Sequence, residues 1–201
     1  MKATDILREE HRVIERVLAC LERMMVQAES AGRLDGASAE QAIDFFRSFA
    51  DGCHHAKEED HLFPAVEAKG LLRAGGPTGV MLHEHEVGRS AIAGMAANLR
   101  AASEGDRQAI DRFVYHGGSY VDLFRQHIDK EDQVLFVMAD RALDSDEQSD
   151  LAEDFEHVEC AHRNAGTQAK YLRVAEELAE QYGVPERLPG TARAPALCCG
   201  F

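Results

Sequence analysis

Proline is scarce in this chain, five residues in 201, and so are basic residues, with 22 Lys and Arg against 36 Asp and Glu. So few prolines leave long stretches of Ala, Leu, Glu, Gln and Arg unbroken, which predicts an all-helical protein. The net charge of −14 excludes a protein that grips DNA, RNA or an anionic membrane surface, because phosphates would be repelled. Cysteine is sparse and odd in number. Cys20, Cys53, Cys160, Cys198 and Cys199 contain no C-x-x-C pair, so neither a disulfide framework nor a zinc ribbon is indicated. Nowhere do 18 apolar residues run together, and the start, Met1-Lys2-Ala3-Thr4-Asp5, carries no apolar signal core. The expectation is a soluble, cytoplasmic chain, monomeric or homodimeric, with 45% hydrophobic content, ample for one core.

What is present is a set of helical stripes. Leu7, His11, Ile14, Leu18, Leu21 and Met25 recur at helical intervals in a first helix capped by Thr4 or Asp5. Ser38-Ala39-Glu40-Gln41 reads as a capping box that opens a second helix, with Ile43, Phe46, Phe49 and Ala50 inward and a break near Leu62 ahead of Pro64. A third helix begins near Thr78 with Met81, Leu82, His85, Ile92, Met95 and Leu99 on its inner side. The fourth runs from about Arg107 to Leu143 with Phe113, Tyr120, Leu123, Phe124, His127, Val134, Leu135 and Met138 inward. Ser145-Asp146-Glu147-Gln148 opens a fifth helical segment that reaches Tyr182, bends at Asn164-Ala165-Gly166 and is capped by Gly183. Three regions follow: a helical bundle over 1–143, a helical extension over 144–183 and an extended tail over 184–201.

The chemistry sits in Cys53-His54-His55-Ala56-Lys57-Glu58-Glu59-Asp60-His61-Leu62-Phe63. His54 and Glu58 are four apart and share one helix face. A second copy follows 73 residues later, where His127 and Glu131 repeat that spacing and Leu135-Phe136 repeats Leu62-Phe63. The single histidines repeat as well, His11 and Glu10 answering His85 and Glu84 at an offset of 74. Two related helical hairpins therefore predict an up-down-up-down four-helix bundle with His11, His54, Glu58, His85, His127 and Glu131 facing its centre. A carboxylate has two oxygens and can hold one ion with each. Two six-coordinate ions filled by four imidazoles, two bridging carboxylates and a bridging oxide or hydroxide still have positions open for a small ligand. Mixed imidazole and carboxylate donors suit iron, manganese or zinc, and dioxygen chemistry favours iron because zinc cannot change oxidation state.

Around that set, Glu59 is placed behind a ligating imidazole, and His55 is expected to be exposed. His61 faces inward but lies about 10 Å along the axis from His54, at 1.5 Å per residue, too far to share its ion. Tyr120, one heptad before His127, is a candidate to line the pocket and donate its hydroxyl to a bound oxygen species. A competing arrangement, a ferritin-like site on Glu58-x-x-His61 and Glu159-x-x-His162, leaves His11, His85 and the 73-residue repeat unexplained.

The run His54-x-x-x-Glu58-Glu59-x-x-Leu62-Phe63-Pro64, with one histidine at His11, one at His85 and the pair His127-x-x-x-Glu131, resembles the hemerythrin-like, or HHE cation-binding, family from Thr4 to about Leu143. The resemblance implies a four-helix bundle around a non-haem di-iron centre that binds dioxygen, nitric oxide or peroxide. The alternative it allows is a di-iron oxidoreductase, or a protein that repairs iron centres or handles iron in oxidative or nitrosative stress. Oxygen-carrying members have two histidines four apart on the third helix; here the position four before His85 is Met81, which removes a fifth imidazole. Those members also place a bridging carboxylate five after the last histidine, so either Glu131 or Asp132 fills that role.

Overall fold

A computed structural model describes residues 1–161 and 167–186, and among them the chain is all-helical, with no strand. Helix α1 (Ala3–Ala31) starts one residue before the expected caps, with Thr4 turned to Asp140 instead of its own helix end, and stops at Gly32, whose φ of 67° only glycine adopts freely. Helix α2 (Gly36–Phe45) is capped by Asp35, whose carboxylate accepts from the Ser38 amide and hydroxyl. That moves its cap three residues ahead of the predicted Ser38, because Asp35 offers the amide a charged acceptor.

Beyond α2 the helix does not end. It widens into π-helical turns over Phe46–His55 and Glu58–Leu62, then continues as α3 (Phe63–Ala68) until Gly70 at φ 100°. The break expected at Pro64 is absent. Pro64 falls in the first turn of α3, just after a wide turn, where its missing N–H is absorbed by the change in hydrogen-bond spacing.

Helix α4 (Pro77–Ser103) packs along α5 (Arg107–Lys130), which Asp106 caps through the Ala109 amide. A third wide turn, Glu131–Leu135, joins α5 to α6 (Phe136–Ala142). That turn resets the helical phase. Leu135, Phe136 and Ala139 are buried, whereas Val134 and Met138, expected inward, are 51% and 37% exposed. Helix α7 (Ser145–Ala161) is opened by Asp144, whose carboxylate accepts from the Asp146 and Glu147 amides while the Glu147 carboxylate accepts from the Asp144 amide, one residue ahead of the predicted box. Helix α8 (Thr167–Tyr182) ends at Gly183, φ 65°. The predicted bend at 164–166, and the tail from 187, lie outside the described residues.

Helices α7 and α8 both rest on α1; α7 also covers the turn Glu58–Leu62, and α8 covers α2. Two apolar clusters result, one including Ile14, Phe46, Ile92 and Phe124, the other Leu7, Leu62, Met81 and Leu135. Each long helical segment passes from one to the other. At each crossing sits a polar residue that is 0–1% exposed: His11, His54 and Glu58, His85, or His127 and Glu131. No described helix is long and apolar enough to cross a membrane.

Candidate metal centre

The four crossings converge. The Glu58 Oε1 lies 3.5 Å from His54 Nε2 and its Oε2 lies 3.5 Å from His85 Nε2. Opposite it, Glu131 Oε2 lies 3.2 Å from His11 Nε2 and 3.3 Å from His127 Nε2. Two groups follow, each with donor atoms within 4.8 Å of one another: His11, His54, Glu58 and Glu131, and His55, His85, His127 and Glu58. Glu58 belongs to both.

His55 corrects the sequence reading. It is 3% exposed, and its ring stacks on His85 with centroids 3.8 Å apart. An α-helix turns about 100° per residue and would have sent His55 away from His54. The π-helical turn that carries both has more residues per turn, so successive side chains diverge less and both imidazoles reach the interior. The histidine absent at Met81 thus has a counterpart on another helix. Met81 itself packs in the apolar cluster with Leu7 and Leu62.

Every imidazole is held from behind. His11 Nδ1 contacts Asp132 at 2.8 Å, His54 Nδ1 contacts Glu10 at 3.0 Å, His55 Nδ1 contacts Asp51 at 3.2 Å, His85 Nδ1 contacts Glu59 at 2.7 Å and His127 Nδ1 contacts Glu84 at 2.9 Å. A carboxylate only accepts, so each Nδ1 donates its proton outward and leaves Nε2 to face the interior, where the Nε2 atoms of His85 and His127 lie 3.1 Å apart. Asp132 therefore stands behind His11 and Glu131 faces the interior. Behind the carboxylates stand cations: Arg12 on Asp132, Lys57 on Glu10, Lys130 on Glu84, and Arg89 on both Asp51 and Glu59. Burial opposes ionisation of Glu10, Glu59, Glu84 and Asp132, but the imidazoles and cations overcome it and hold all four below the usual carboxylate range.

The inner atoms are unsatisfied. His11 Nε2 and both oxygens of Glu58 and of Glu131 are buried without a hydrogen bond, the contacts between them being misaligned. Burial and the facing Glu131 push Glu58 well up. Glu131 goes the other way: burial opposes its charge, yet His127 and His11 bring it to about 2. Burial would depress His11, but Asp132 and Glu131 raise it to about 9, whereas burial takes His54 down to about 4 against Glu10. An orphaned buried polar atom costs about 1–3 kcal/mol, more when charged, and a cation between the two carboxylates satisfies them all at once. The seven inward groups are positioned for a metal.

Two other sequence candidates fall elsewhere. His61 is not inward: its side chain is 27% exposed and turns to α7, 3.5 Å from Asp154 and edge-on to Phe155. Tyr120 is fully buried between Phe46 and Phe124 with an unpartnered hydroxyl, and burial pushes its pKa well up. Of the ferritin-like alternative, the Glu159 side chain and His162 lie outside the described residues, as do Cys198 and Cys199. Reading by α-helical period alone missed His55 and Asp51; the adjacency of His54 and His55, with Asp51 one turn earlier, was the available signal.

No solved structure matches the chain. Uncharacterized proteins of Mycobacterium bovis and Mycobacterium tuberculosis are 27% identical to it over 178 residues, covering 89% of this chain and 68% of theirs. The family described as "Hemerythrin HHE cation binding domain" matches residues 2–139, a span that takes in every inward group above. This chain belongs to that family.

Proposed function

We propose that the chain is a non-haem di-iron protein that binds dioxygen or a related small oxidant, nitric oxide or peroxide, as sensor, store or scavenger. The observation that carries this is the shared Glu58, whose two oxygens face histidines of two separate donor groups while making no hydrogen bond of their own. One ion in each group, with Glu58 and Glu131 between them, accounts for the orphaned atoms. The pair of hairpins forms an up-down-up-down bundle around them. Iron suits imidazole and carboxylate donors and supplies the change of oxidation state that oxidant binding requires; manganese and zinc fit the same donors.

The donor set is unequal, with three imidazoles in one group and two in the other. Applying the 73-residue repeat, the counterpart of His55 is Ile128, a buried apolar residue with no lone pair to give. The two-imidazole end is therefore where an external ligand has room to bind.

Metal analysis of protein purified without chelators, with a Mössbauer spectrum, tests the pair. Two irons per chain in a coupled environment are expected. Dioxygen added anaerobically to the ferrous protein should produce a charge-transfer band; an unchanged spectrum and unchanged iron oxidation state would refute oxidant binding. Turnover assays with peroxide or nitric oxide separate binding from catalysis, since a carrier takes up its ligand stoichiometrically without consuming it.

A further inference from the structure

Five imidazoles, five carboxylates and four cations are arranged here in consecutive shells, and the outer two shells are not accounted for by metal binding alone. We infer that these carboxylates and cations are positioning residues that set the reduction potential of the bound ions, the carboxylates lowering it and the cations raising it. The inference rests on the di-iron reading. Its geometry is that of hydrogen bonds from every Nδ1 to an anion, with each anion in turn bound to Arg or Lys.

The physical cause is charge at close range in a buried site. A carboxylate that accepts the Nδ1 proton draws it away and makes Nε2 a stronger donor, which favours the more highly charged ion. Opposing it, each cation pulls electron density back along the same hydrogen bond. Among the groups behind the imidazoles, five carboxylates against four cations leave one net negative charge, because Arg89 serves two of the five at once: its Nε and terminal nitrogen reach Asp51 at 2.8–2.9 Å and a terminal nitrogen reaches Glu59 at 2.7 Å, while its other terminal nitrogen binds the exposed Glu86 at 2.6 Å. Those two carboxylates hold His55 and His85, the stacked imidazoles of the three-imidazole group. One guanidinium thus acts on two imidazoles of the same end without touching the interior. Four of the five pairings also obey the sequence repeat, Glu10 and Lys57 matching Glu84 and Lys130, and Glu59 matching Asp132. The fifth, Asp51 with His55, corresponds to Phe124 and Ile128 and exists at one end only.

The test uses opposite signs on one salt bridge. Glu59 and Arg89 are both partly exposed, so Glu59→Gln and Arg89→Gln should fold and keep two irons per chain. Loss of a hydrogen-bonded partner behind a metal-bound histidine changes metal affinity by about 10–100-fold. Placed on the ferric ion alone, that is a change of about 60–120 mV in a one-electron potential. Glu59→Gln should move the potential up and Arg89→Gln should move it down, read by spectroelectrochemical titration. Glu84→Gln and Lys130→Gln repeat the comparison on His127 if either first variant fails to fold. Shifts of the same sign, or none, with metal content intact would overturn the inference and leave the di-iron reading standing. If the wild-type protein holds no redox-active ion, that reading falls, and proton NMR of the metal-free chain still decides the geometry: far-downfield, slowly exchanging imidazole N–H signals, with that of His85 moved upfield in Glu59→Gln, are required.

Discussion

Lys57 is the sharpest place to perturb the centre without removing a donor. It is 0% exposed, its ammonium lies against Glu10, and Glu10 in turn holds His54. Methionine keeps most of the stem and deletes the charge, so Lys57→Met leaves Glu10, 5% exposed, as a buried anion facing only an imidazole. Breaking a buried pair from one side costs about 3–5 kcal/mol, because the remaining charge has lost its solvent and its partner. For a domain of this size 1 kcal/mol shifts the melting temperature by about 2–4 °C, so Lys57→Met should melt about 6–20 °C below the wild type. The assay is urea and thermal denaturation of the chelated protein, which removes any contribution from ligation. Adding Glu10→Gln should recover a large part of the loss, because a neutral amide needs no counter-charge. Burial opposes the ionised Glu10, but His54 and Lys57 hold its pKa below the ordinary 4.5. A depressed carboxylate contributes stability above its unfolded value and loses it as pH falls through the folded one, so the penalty of Lys57→Met should shrink below about pH 4.5. A cost under about 1 kcal/mol at neutral pH, or no recovery in the double variant, would refute the buried-pair reasoning.

Phe155 on α7 is 1% exposed and its ring lies 5.9 Å from the Lys57 ammonium, so Phe155→Ala should cost about 3–5 kcal/mol in denaturation. A cost near zero would show that the helices beyond the family match are not part of the same core. His55→Ala should keep the fold and lower affinity for one of two ions while the other is held; metal titration with unchanged affinity at both would remove His55 from the donor set. In the metal-free chain, the Asp132 and Glu131 carboxylates overcome burial to hold His11 protonated to about pH 9, and burial with Glu131 raises Glu58. Metal uptake must displace these protons, so affinity should climb with pH up to about 9 and calorimetry in buffers of different ionisation enthalpy should detect proton release. Uptake without release would contradict those protonation states.

The inward set of six was legible because His11, His54, Glu58, His85, His127 and Glu131 obey a repeat that a solvated or randomly buried histidine has no reason to obey. Helix ends were less legible: Asp35 and Asp144 outcompete nearby serines as caps, and sequence alone does not rank acceptors that lie one to three residues apart. The larger omissions share one cause. A phase of 3.6 residues per turn does not hold through Phe46–His55, Glu58–Leu62 and Glu131–Leu135, where the helix is wider. That difference accounts for the burial of His55 and for the placement of His61, Val134 and Met138 away from the interior; the break expected at Pro64 rested on the proline itself, and the wide turn ahead of it removes its cause. Nothing in composition marks a π-helical turn; it is stabilised by what it brings together, here two adjacent imidazoles and the carboxylates next to them.

The pattern of holding bonds also says how the centre must assemble. Glu10 holds His54 and Glu84 holds His127, each within one hairpin, whereas Asp132 holds His11 and Glu59 holds His85 across the two. The inner carboxylates cross in the same way, Glu58 reaching His85 and Glu131 reaching His11. Neither hairpin alone can orient all of its inward histidines or neutralise its own buried charges. Each would carry Glu58 or Glu131 into an apolar interior with half its contacts missing, at several kcal/mol per unpaired ion. The hairpins therefore cannot be stable as separate units with their polar groups buried. Docking, burial and formation of the centre must be one step, and a metal that binds only the docked state drives all three together.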